Sequence, residues 1–100
     1  MGFRLNLPAD VQRTHDACQD AWKRWHTEWC RLRNQNAPDA ICEIYRGVVD
    51  HFHAAMLACR ANAPEMTWRR CLALQQEAAH PTPSEQRAIA TASGFEQPAA

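Results

Sequence analysis

The sequence predicts an all-α fold: a compact antiparallel bundle of three main helices with a short fourth helix at the C-terminus. Three observations predict it. Alanine, the strongest helix former, supplies much of the 46% hydrophobic fraction, while valine, isoleucine and threonine are scarce. The stretches NLPAD, NAPDA and NAPEM, at Asn6, Asn36 and Asn62, repeat one boundary device, Asn-x-Pro with an acid one or two places later. Between these boundaries the apolar residues recur at helical spacing.

In chain order, Phe3, Leu5 and Leu7 alternate with Arg4 and Asn6, which predicts an extended N-terminal arm over 1–7. Such an arm packs over the helices as a strap or adds to another chain. Proline has its φ preset and lacks an amide donor, so it suits the first helical position. Pro8, Pro38 and Pro64 therefore predict helices over 8–34, 38–62 and 64–80, with Asp10, Asp39 and Glu65 at the positive end of each helix dipole. The asparagine of each device either starts the new helix or closes the previous one in a left-handed conformation. Thr82 to Glu85 reads as a capping box and Gly94 with Phe95 as a stop, giving a fourth helix over 83–93. Residues 8–95 are expected to form one domain and 96–100 a disordered tail.

Each helix has an apolar stripe. On the first it is Val11, Thr14, Cys18, Ala21, Trp22, Trp25, Trp29 and Leu32, with Lys23, Arg24 and Arg31 on the solvent side. On the second it is Ile41, Ile44, Tyr45, Val48, Phe52, Ala55, Met56 and Cys59, flanked by Val49. The third is weaker, with Trp68, Cys71, Leu72, Gln75, Ala78 and Ala79. A chain of 100 residues supports a single, modest core, so the four tryptophans carry much of its burial.

Composition excludes some functions. The formal net charge is zero and the pI about 6.9, so no whole-molecule field draws nucleic acid or an anionic membrane. WKRWHTEWC interleaves tryptophan with basic residues, as base-stacking surfaces do, but helical spacing separates the rings from the charges. No apolar run approaches the roughly 20 residues of a membrane span. The start MGFRLNLPAD lacks the pattern of a secretory signal, so a reducing cytosol is the expected compartment.

The five cysteines raise the question of covalent or metal chemistry. Cys30 with Cys42, and Cys59 with Cys71, straddle the first and second turns and could staple two helical hairpins. One cysteine is left over, and Cys30 lies off the tryptophan stripe. His26, Cys30 and Cys42 are weak candidates for a zinc site, with no fourth ligand evident. His26 and Cys30 are also the only local nucleophile–base pair, without an evident orienting carboxylate. No phosphate-cradling glycine loop occurs. The expectation is small buried thiols, no cofactor and no catalysis.

What remains is a protein-binding or inhibitory module acting on a larger protein complex, a class that includes phage- and bacteria-encoded inhibitors of host defence machinery. Homodimerisation through uncovered tryptophan surface is compatible with it. The structural hairpin or metal protein and the small Cys/His enzyme are the alternatives. Arg31 and Arg33 by the first turn, and Arg60, Arg69 and Arg70 around the second, are the expected partner-binding residues, suited to carboxylates on a protein partner.

Overall fold

The computed structural model describes residues 7–80 together with Glu85, Arg87, Ile89 and Ala90. It contains α1 (Ala9–Asn34), α2 (Asp39–Arg60) and α3 (Trp68–Ala79), with no strand among the described residues. The all-α class is therefore shown. Phe3 and Leu5 of the expected arm, the Thr82 cap, the Gly94 stop and the tail lie outside the described residues. So does the expected fourth helix, apart from the four positions just named. Leu7 is half-buried against the core.

The repeated device resolves into two functions. Asn36 and Asn62 have φ of 57° and 48°, the left-handed conformation that closes a helix. Behind each, the backbone forms the paired bonds of a Schellman motif: Ala37 N–H to the Leu32 carbonyl and Asn36 N–H to Arg33, then Ala63 to Ala58 and Asn62 to Cys59. Buried Leu32 and Ala37 supply the apolar contact that accompanies this motif. Pro8 and Pro38 stand one place before their helices, with ψ of 148° and 142°, and their carbonyls accept from Gln12 and Cys42.

Pro64 behaves differently. The third helix begins at Trp68, four residues later than the expected 64, because the chain first turns through bonds from Met66 N–H to Ala63 and Thr67 N–H to Glu65. This turn buries Met66. Thr67 then caps α3, its hydroxyl accepting from the Arg70 amide at 3.2 Å.

α1 is the central element. α2 runs antiparallel to it, as the pairs His15–Arg60 and Trp25–Tyr45 show, the latter with ring centroids 5.2 Å apart. α3 returns antiparallel to α2 but packs chiefly on α1, with Cys71 and Gln75 near Thr14 and Ala78 near Arg24. Its 12 residues span about 18 Å against about 39 Å for the 26 of α1, so it covers less than half of that helix.

The core joins Val11, Cys18, Ala21, Trp25 and Leu32 to Ile41, Tyr45, Val49, Phe52, Met56 and Cys59, and to Cys71 and Leu74. The third stripe is rotated from the expected one: Leu74 is fully buried, while Trp68 is 65% and Leu72 48% exposed. Small Cys71 meets α1 beside Thr14 and Cys18, and Ala78 meets it beside Arg24. The large Trp68 ring stays outside that contact. Gln75 donates to the Thr14 hydroxyl at 3.0 Å, which itself donates to the Asp10 carbonyl at 2.8 Å. Buried Thr14 is thereby satisfied.

A groove of aromatic and charged side chains

On the side of the α1–α2 seam away from α3 lies a groove of about 780 Å³. The α3 contacts of Thr14, Arg24 and His51 belong to the other side, and none of these three residues lines it. One wall is a stripe of α1: Trp22, His26, Trp29 and Arg33, spaced by four, three and four. The opposite wall is a stripe of α2 that includes Asp39, Cys42, Glu43, Arg46, Asp50 and His53, with buried Val49 at its inner edge.

The aromatic wall is a continuous ladder. Ring centroids lie 5.2 Å apart for Trp22 and His26 and 5.7 Å for His26 and Trp29, and His53 reaches across to Trp22 at 6.2 Å. Arg33 places its guanidinium carbon 4.8 Å from the Trp29 ring centroid. Trp22 and Trp29 are half-buried, their inner edges on the core and their outer faces in the groove. The three tryptophans expected on one core stripe thus divide: Trp25 closes the core, and its neighbours border the groove.

The five expected arginines part company. Arg31 pairs with Glu28 of its own helix at 2.5 Å. Arg60 donates to His15 Nε2 at 3.0 Å, which leaves the Nδ1 proton for Asp16 at 3.2 Å and pins the end of α2 to α1. Arg69 lies over the exposed Trp68 ring at 5.4 Å, and Arg70 is exposed beside it. Only Arg33 joins the groove. The antiparallel hairpin puts Arg33 and Arg60 at opposite ends of the bundle.

His26 Nδ1 lies 3.8 Å from Cys30 Sγ, and no carboxylate bonds to His26 among the described residues. Cys42 turns its thiol to the Ala37 carbonyl at 3.7 Å. His26, Cys30 and Cys42 are not brought together: among the described residues no three His, Cys, Asp or Glu side chains gather to hold a metal ion. All five cysteines are free thiols. Burial, with the neighbouring Cys59 thiol, pushes Cys18 up to about 12, and burial, with Cys71, pushes Cys59 up to about 11. Such thiols are poor nucleophiles and poor metal ligands. No helix among the described residues is long and apolar enough to cross a membrane.

The wall on α2 has its own signal in the sequence. Asp39, Glu43, Arg46, Asp50 and His53 recur by four, three, four and three, a polar stripe of α2 beside the apolar one. What no spacing revealed was that this stripe faces Trp22 and Trp29. Compared with protein-family models, curated proteins and solved structures, the chain matches none.

Proposed function

We propose that the protein is a non-catalytic protein-binding module and that the Trp22–Trp29 groove is its contact surface. The observation that supports this is the pair of half-buried tryptophans flanking His26 in an open groove rimmed by charge. Tryptophan and arginine are the residues most enriched at binding hot spots, and a charged rim around an apolar centre is the usual anatomy of a protein interface. His26 with Cys30 gives the enzymatic alternative little support, because the groove lining includes the histidine and not the thiol. On this reading the module works by occupying a partner's surface, and inhibition of a larger complex is one effect of such occupancy.

The test is affinity capture from the lysate of the native host, with the parent chain and Trp29→Ala as parallel baits. Both baits must first show the same helical circular dichroism. The binding role predicts at least one protein enriched by the parent and lost with the variant. Identical captures from the two baits would remove the groove as the contact surface.

A further inference from the structure

We infer that the groove accepts an amphipathic helix of a partner protein that brings lysine or arginine side chains to Asp39 and Glu43. This deepens the binding role proposed above and rests on it.

The charge inventory of the groove sets the sign. Its lining carries three carboxylates, Asp39, Glu43 and Asp50, against two guanidiniums, Arg33 and Arg46, an excess of one negative charge. Arg46 and Asp50 approach to 3.9 Å, and Arg33 is engaged over Trp29. Asp39 and Glu43 are exposed, one helical turn apart, and make no hydrogen bond or ion pair among the described residues. Arg33 keeps its charge over Trp29, so the lining is acidic by one formal charge although the whole chain is neutral, and its two unpaired carboxylates are Asp39 and Glu43. A cation arriving there meets two carboxylates that have no partner of their own among the described residues.

Groove shape selects the form of the occupant. From Trp22 to Arg33 the α1 wall runs about 17 Å, the length of three helical turns. The opposite side of the same seam is already packed by a helix, α3. A partner helix in the groove would repeat that packing, with apolar side chains at i, i+4 and i+7 set against Trp22, Trp29 and Val49 and cations on the flank facing α2.

The experiment is a titration of the 15N-labelled full chain with two capped fourteen-residue helical peptides. Both carry leucine at i, i+4 and i+7, one with lysine and the other with glutamate on the flanks. The indole N–H signals of Trp22 and Trp29 should move with the lysine peptide, while those of Trp25 and Trp68 stay in place. Affinity for the glutamate peptide should be lower by about tenfold. Asp39→Asn combined with Glu43→Lys should reverse that preference, the circular dichroism being unchanged. Equal or tighter binding of the glutamate peptide to the parent overturns the inference and leaves the groove as a contact surface of other chemistry. No movement of Trp22 and Trp29 with either peptide also overturns it, and the binding role itself is then decided separately by the Trp29→Ala capture.

Discussion

Arg24 of α1 donates from its guanidinium to the Ala78 carbonyl at 2.6 Å, in the last turn of α3. Helical phase alone places Arg24 on the solvent face of α1, where truncation should cost less than about 0.5 kcal/mol. Its partner changes that expectation. The final carbonyls of a helix have no intrahelical donor and carry the negative end of its dipole, so a cation there serves both needs. Arg24→Ala should cost about 1–2 kcal/mol in denaturant titration, and Arg24→Lys should recover part of it. A loss below about 0.5 kcal/mol for Arg24→Ala would mean that the bond does not hold α3 in place.

Trp25 and Trp68 differ in burial, at 8% and 65% exposure. Trp25→Ala removes a ring packed on Tyr45 and should cost on the order of 3–5 kcal/mol. Trp68→Ala should change stability by less than about 1 kcal/mol. Chemical denaturation of both variants decides the assignment, and similar costs would contradict the observed rotation of α3.

The stripes and boundaries that were legible share a cause: they depend on local chemistry. Asn36 and Asn62 were recognisable as helix boundaries because few residues tolerate a left-handed φ, and α1 and α2 end within two residues of their expected limits. Thr67 carried an equally local signal that Pro64 obscured, since an earlier proline looks like a sufficient start. The rotation of α3 and the partners of Arg24 and Arg60 were not legible. They depend on which helix lies opposite, and the pairing of α3 with α1 leaves no trace in spacing along either helix. The groove was half legible: its tryptophans and the polar stripe of α2 are both periodic in the sequence, but nothing in either spacing sets them face to face.

Gly47 sits in the interior of α2, and a Cβ added there would meet nothing within 4 Å. Its φ is not positive, so the conformational freedom of glycine is not used. Gly47→Ala should raise stability by about 0.5–1 kcal/mol, read as a higher denaturant midpoint. A lower midpoint would mean that something in solution occupies the space beside it.

The buried thiols give the fold an alkaline limit. Cys18 is raised from 9.0 to about 12 and Cys59 from 9.0 to about 11, so folding favours their protonated forms. That contribution is fully present below about pH 9 and is lost as the pH climbs through 11 and 12, where unfolding lets the thiols ionise. The midpoint of denaturation should fall steadily above pH 9, and Cys18→Ala with Cys59→Ala should flatten that slope. At pH 7.5, maleimide should label half-buried Cys30 and Cys42 well before Cys18, Cys59 and Cys71. Equal labelling of all five in the native protein would contradict the burial of the three.

Two surfaces compete for the partner: the groove around Trp22 and Trp29, and the exposed arginines Arg69 and Arg70 at the start of α3. The most direct discrimination is the equilibrium binding of the captured partner to the parent chain, to Trp22→Ala with Trp29→Ala, and to Arg69→Glu with Arg70→Glu, each checked by thermal melting. A groove that carries the contact predicts at least about thirtyfold weaker binding for the tryptophan pair, the loss of one hot spot of about 2 kcal/mol, and little change for the arginine pair. Unchanged binding by a folded tryptophan variant, together with loss of binding in the arginine variant, would move the contact surface to the α3 end and contradict the groove.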